Sequence, residues 1–336
     1  VGLCFPIIVI ITAFSNLFGT GGAPLFAISR GQKDDEKAGR IMNTSFSMLC
    51  AGAVVLMIVG MIFANPILWI FGASKEAIGY AYPYLMIYLI GTLPSMLTTG
   101  MNPFINAQGY ATMGMCSVAI GAIANVILDP IFIFVFHLGI IGAAVATVLS
   151  QTISAMVVLY FLRRRSEIKV RLLHKIEVRS SLAHMKDIVS LGSAGFIMQF
   201  TNSLVTICCN SVLSTMGGDV YIAVMTIITS IRQMVETPIF ALCEGSSPIL
   251  SYNYGAVRPG RVRKAGVEMM AMILLYTGIV WSIIILAPRF LIGIFSSDMA
   301  LIEDTVPALN IYFAAFIFMD LQYVGQTVFK SLNKKK

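Results

Sequence analysis

The chain has 336 residues, of which 57% are hydrophobic and only 12% charged, and its formal net charge is +7. Soluble globular domains carry about 25% charged residues. Half that fraction, together with a mean hydropathy of +0.85, excludes an ordinary water-soluble fold and predicts an all-α polytopic membrane protein. The six cysteines (Cys4, Cys50, Cys116, Cys208, Cys209 and Cys243) all stand in apolar segments without CxxC spacing. They read as small buried hydrophobes, with no metal site and no disulfide frame.

Nine apolar segments follow one another, at about 3–28, 41–63, 77–100, 111–136, 139–162, 188–215, 219–254, 265–287 and 305–329. Each is long enough to cross a hydrocarbon core of about 30 Å at about 1.5 Å per residue. Lys and Arg between them alternate sharply. Arg30, Lys33, Lys37 and Arg40 follow the first segment, and only Lys75 follows the second. The linker 163–187 holds eight, the loop 255–264 holds Arg258, Arg261, Arg263 and Lys264, and the tail holds Lys330, Lys334, Lys335 and Lys336. If all nine segments span, twenty basic loop residues fall on one side and two on the other. The positive-inside rule then makes loops 29–40, 101–110, 163–187, 255–264 and the tail cytoplasmic, in the inner membrane of the cell. That topology accounts for the positive charge without nucleic acid. The linker "RRRSEIKVRLLHK" is expected to carry some amphipathic helix.

An internal repeat orders these segments. Gly21, Pro24 and Gly31 recur as Gly245, Pro248 and Gly255 at an offset of 224, and the same offset joins Ile70–Phe71 to Ile294–Phe295, Pro83 to Pro307, and Ile87–Tyr88 to Ile311–Tyr312. Segment one therefore pairs with segment seven, and the repeating unit is six helices in parallel orientation. Two pseudo-symmetric six-helix lobes follow: an N-terminal lobe at 1–162, the linker, and a C-terminal lobe at 188–336. On this count the nine segments correspond to helices 2–10 of twelve, with one helix expected before them and two after.

The stretches "GTGGAPLFAISRG" (19–31), "NAQGYATMG" (106–114), "NVILDPIFIF" (125–134), "LGIIGAAVATVLSQ" (138–151) and "EGSSPILSYNYGA" (244–256) occur in this order. In order and spacing they resemble the multidrug and toxic compound extrusion family, in its DinF-like or broader bacterial branch. The resemblance implies a twelve-helix, two-lobe fold and cation-coupled export. It also implies a cation site at the positions matching Asn125, Asp129 and Thr147, which a preceding helix often completes with an aspartate.

The residues support such a site independently. A charge at helix centre costs about 2.5–3.5 kcal/mol on insertion scales, so Asp129 is expected to face a partner or cavity. Asn125 lies one turn earlier on the same face. Pro130 removes a backbone donor and frees a carbonyl nearby. Carboxylate, amide and carbonyl are hard oxygen ligands suited to Na⁺, and a buried carboxyl also takes a proton. Taking His137–Gly139 as a hairpin places Asp129 and Thr147 at equal depth, about 12 Å along adjacent helices.

In the second half Arg232 and Glu236 form an i, i+4 pair, which reads as mutual neutralisation within the helix, with Glu236 in a cavity wall of the second lobe as the competing functional reading. Glu244, with no obvious partner in sequence, Asp320, Gln199 and Asn202 are candidates for a substrate cavity; helix–helix hydrogen bonding is the competing reading. Gly21, Pro24, Gly245 and Pro248 are expected to permit close packing or bending. No Walker loop, HExxH or GxSxG motif occurs, so no enzyme activity and no cofactor are expected beyond a coupling Na⁺ or H⁺. The expected function is export of amphipathic, often cationic, organic compounds by a monomer in the lipid bilayer. The alternative is a lipid-linked oligosaccharide flippase of the wider fold group. One intramembrane arginine against four acids favours cationic cargo.

Overall fold

A computed structural model describes residues 4–70, 75–172 and 181–333. Lys334, Lys335 and Lys336, linker residues 173–180 and the Phe71 end of one repeat pair lie outside the described residues. Among those described the secondary structure is helical. The elements are α1 (Phe5–Gly31), α2 (Asp35–Ile70), α3 (Lys75–Ile90), α4 (Thr92–Ala107), α5 (Ala111–Pro130), α6 (Gly139–Tyr160), α7 (Leu182–Gly255), α8 (Pro259–Leu286), α9 (Pro288–Gly293), α10 (Met299–Phe313) and α11 (Phe316–Ser331). Single π-helical turns extend α5 over Ile131–Val135 and α6 over Phe161–Arg165.

Five described spans are long and apolar enough to cross a membrane, and two more qualify if α3–α4 and α10–α11, bent by 53° and 46°, each count as one. Their packing is that of helices in an apolar solvent. On α5 only Gly114, Ser117 and Gly121 are buried, while Val126 is 72% exposed. On α6 the buried residues are mostly Gly, Ala and Ser. Small residues face inward because they let backbones approach, and hydrocarbon covers the rest. The Ser154 hydroxyl donates to the Ser117 carbonyl at 2.7 Å, and Asn102 Nδ2 donates to Gly114 O and Ser117 Oγ, both at 2.9 Å. These bonds satisfy polar groups that lipid would leave bare.

The chain divides into two compact units, at Val1–Ile197 and Met198–Lys336. In the first, α1 lies against α2, α4 and the start of α7 through glycines. A Cβ placed on Gly19 would stand 2.4 Å from Gly100 O, one on Gly21 2.4 Å from Ile188 O, and one on Gly192 2.0 Å from Leu17 O. The buried core of this unit includes Phe26, Phe104, Met42, Leu49 and Leu85. The core of the second joins Ile228, Ile231 and Ile239 of α7 to Ile273 of α8 and Leu309 and Phe313 of α10.

The two bends fall at repeat-equivalent positions, Gly91 and Ala315, separated by the offset of 224 seen in the sequence. Their surroundings differ. At Gly91 the Val148 side chain closes on the backbone. At the second bend Trp281 Nε1 donates to the Phe313 carbonyl at 3.0 Å, supplying a partner where the helical ladder is interrupted.

Three expectations require correction. The separate spans 188–215 and 219–254 lie in one helical run, α7, and helix continues through Gly217–Gly218; glycine permits a turn but does not impose one. The expected linker 163–187 is helical at its described ends, 163–165 and 182–187, but residues 166–172 between them are not. They form a strap in which Gln108 Oε1 accepts from Ile168 N at 3.1 Å and Asn43 Oδ1 from Arg171 N at 2.8 Å, with Arg30 paired to Glu167. Of the cysteines only Cys4 and Cys243 are buried, and Cys208 is exposed, since an apolar segment in lipid need not turn its thiols inward.

Candidate functional site

Asp129 stands one residue before the end of α5, where the α-helix gives way to the π-turn. Pro130 lacks the N–H that would continue the ladder, and the backbone closes instead through wider turns, with Phe136 N donating to Ile131 O at 3.0 Å. His137 and Gly139 take positive φ values of 53° and 54°, which turns the chain into α6 as the hairpin reading requires. Asn125 and Asp129 are half-buried on one face, and Asn125 Nδ2 donates to Asp129 Oδ1 across a long 3.4 Å. The carboxylate lies within electrostatic reach of Tyr84 on α3. Thr147 is half-buried on α6 and donates to Ala143 O at 2.9 Å, so its oxygen lone pairs remain available as acceptors. The structure therefore brings Asn125 to Asp129, while the Thr147 hydroxyl bonds within its own helix.

A second polar cluster lies in the other unit. Arg232 Nε donates to Glu236 Oε1 at 2.7 Å, as the i, i+4 spacing predicts, and Arg232 Nη1 donates to the Tyr312 hydroxyl at 3.0 Å. The Tyr323 hydroxyl approaches the same Glu236 oxygen at 3.5 Å. Asp320, one turn before Tyr323, is 0% exposed. Among the described residues neither of its carboxylate oxygens makes a hydrogen bond of ordinary geometry, and the buried Thr277 hydroxyl of α8 is a polar group beside it. Sequence reading missed Tyr312, Tyr323 and Thr277, whose spacing from Arg232 carries no local period.

Glu244, expected to lack a partner, pairs with Lys330 Nζ at 3.2 Å near the end of α11; a partner 86 positions away cannot be read from helical spacing. Gln199 is half-buried and Asn202 exposed on α7. Gly21 is a packing glycine, whereas Gly245 has nothing within 4 Å of a built Cβ among the described residues, which corrects its packing role. Pro24 and Pro248 sit inside continuous helices.

The sequence profile of the MatE family matches residues 1–131 and 195–336. The chain belongs to the MatE family. One profile covering both halves is what a duplicated unit produces. The multidrug export protein MepA of Staphylococcus haemolyticus is 27% identical over 97% of this chain and 73% of its own length. MepA of Staphylococcus aureus strain N315 is 24% identical over 96% and 71%. A MATE crystal structure in the bent conformation superposes with a TM-score of 0.91 at 23% identity, covering 99% of this chain and 74% of that one. An outward-facing multidrug resistance MATE family transporter of the MOP superfamily gives 0.91 at 24%, covering 100% and 74%. The MatE fold is thus common to the whole chain, and with its apolar spans the protein is a membrane transporter of this family.

Proposed function

We propose that this MatE protein exports amphipathic, cationic organic compounds across the cytoplasmic membrane, driven by inward flow of Na⁺ or H⁺ that loads Asp129. The observation that carries this reading is the Asn125–Asp129 face at the α-to-π transition, a carboxylate placed where the helix backbone is loosened. A carboxylate within a membrane span is costly without a partner, and a coupling cation, Na⁺ or H⁺, at Asp129 would supply one. Each occupant alters the charge beside Pro130, and the weakened turn is the element able to respond to it. Asn125 and Thr147 supply neutral oxygens to the same cation. Glu236, Glu244 and Asp320, with Gln199 and Asn202, offer acceptors to cationic cargo in the second unit. The staphylococcal relatives are multidrug export proteins, which supports drug export over the flippase alternative. The same reading takes the basic loops as cytoplasmic and the protein as a monomer.

The test reconstitutes the full chain in vesicles, imposes either a Na⁺ or a proton gradient, and follows efflux of a fluorescent cationic dye. Asp129→Asn is expected to abolish gradient-driven efflux. Export by that variant at the wild-type rate, or dye movement indifferent to both gradients, would sink the proposal.

A further inference from the structure

A cluster in the second unit joins two carboxylates within electrostatic reach of each other, Glu236 on α7 and Asp320 on α11, to the Arg232 guanidinium. Arg232 is bound to Glu236 through Nε and is held in place by Tyr312 on α10. Tyr323 on α11 approaches the other end of the pair. The two tyrosines stand on opposite sides of the α10–α11 bend, so the position of Arg232 is fixed by both halves of the broken span. Arg232 and Glu236 side chains retain 27% and 11% of their exposure. Asp320, fully buried, has no comparable cation among the described residues. The repeat equivalents of Arg232, Glu236 and Asp320 are Ile8, Thr12 and Met96. The first unit therefore has no counterpart of this arrangement.

We propose that Arg232 is a specificity-determining residue: by neutralising the partly exposed Glu236 it withholds that carboxylate's charge from cargo, and so disfavours cargo bearing two positive charges relative to cargo bearing one. This assignment rests on the reading that the cluster meets cationic cargo. A guanidinium with fixed hydrogen-bond geometry suits the task, because it cannot lose its proton and its position does not wander. Without it, the Glu236 carboxylate stands uncompensated and a dication gains a further attraction. In surroundings drier than water one further unit charge changes affinity on the order of tenfold. A purely structural Arg232 would affect all ligands alike.

Equilibrium binding of ethidium, a monocation, and propidium, a dication with the same ring system, to the purified full chain reads this directly. Arg232→Gln is expected to raise the propidium-to-ethidium affinity ratio about tenfold. Glu236→Gln, which removes a negative charge, is expected to lower it. The double variant should return to the wild-type ratio, and Arg232→Lys should keep it. A ratio that does not change in Arg232→Gln, or that moves the same way in both single variants, overturns the assignment. If Arg232→Gln does not fold, Glu236→Gln alone decides: an unchanged ratio there also overturns it. Efflux of the same two dyes from vesicles is measured separately. Absent efflux with the binding series intact would count against export and leave the charge-setting role standing.

Discussion

Gly192 offers a quantitative test of the helix contacts that hold the first unit together. A Cβ there would stand 2.0 Å from the Leu17 carbonyl oxygen, 2.8 Å from its carbon and 3.0 Å from its Cα. All three are backbone atoms of α1, so no side chain can swing aside. Ordinary contact begins at 3.4 Å, and α7 must therefore retreat from α1 by more than an ångström. A gap of about 0.5–1 Å already forfeits a quarter to a half of each dispersion contact, and overpacking typically costs about 1–3 kcal/mol. Alanine regains about 1 kcal/mol of helix propensity. Since the added Cβ meets backbone that cannot swing aside, Gly192→Ala should lose about 2 kcal/mol net. Gly195, one turn later, has nothing within 4 Å of its built Cβ among the described residues, so Gly195→Ala should keep the propensity gain of about 1 kcal/mol. Unfolding in mixed micelles by increasing SDS, followed by circular dichroism, compares the two variants. Equal stability, or a more stable Gly192→Ala, would refute the argument that the α1–α7 approach is limiting.

Two further outcomes follow from contacts around the strap of the first unit. Gln108, 5% exposed, uses its amide as both donor (3.4 Å) and acceptor (3.1 Å) for the Ile168 backbone. Gln108→Ala should release the strap at a cost of about 1–3 kcal/mol, seen as faster tryptic cleavage after Arg165 and Lys169. Unchanged cleavage would show that Asn43 and Arg30 hold the strap without it. His184, which precedes the expected span, is held below the usual imidazole pKa by burial and then by Lys37; Asp187 opposes and Arg40 adds to the lowering. The unfolded chain therefore takes up the proton first. Stability from this group is complete above the unfolded value of about 6.5 and is lost as pH falls through the lower folded value. Thermal stability measured across that window should fall less steeply in His184→Gln than in the wild type.

Much of the architecture was legible because it depends on local period and composition. Apolar runs of membrane length mark the spans, and the 224-residue offset marks the duplication. That offset reappears physically in the paired bends at Gly91 and Ala315. The Arg232–Glu236 pair was legible because residues four apart share a helix face. Asn125 and Asp129 met for the same reason, whereas Thr147 sits on another helix and its hydrogen bond stays within its own turn. The strap was misread because basic residues with apolar intervals look amphipathic, while its conformation is set by Gln108 and Asn43 on distant helices.

The sequence by itself determined the solvent of this protein, its helices, its duplication and the rare polar residues worth their cost in lipid. Those follow from hydrophobicity and from hydrogen bonds closed within a few residues of chain. The tertiary structure alone decided which glycines are contacts: Gly192 meets the backbone of α1, while Gly195 and Gly245 meet nothing among the described residues. It also decided that Glu244 belongs to Lys330, and that two tyrosines from either side of a bend complete the Arg232–Glu236 pair. These depend on how helices cross, and crossing is fixed by side-chain shape between segments far apart in the chain.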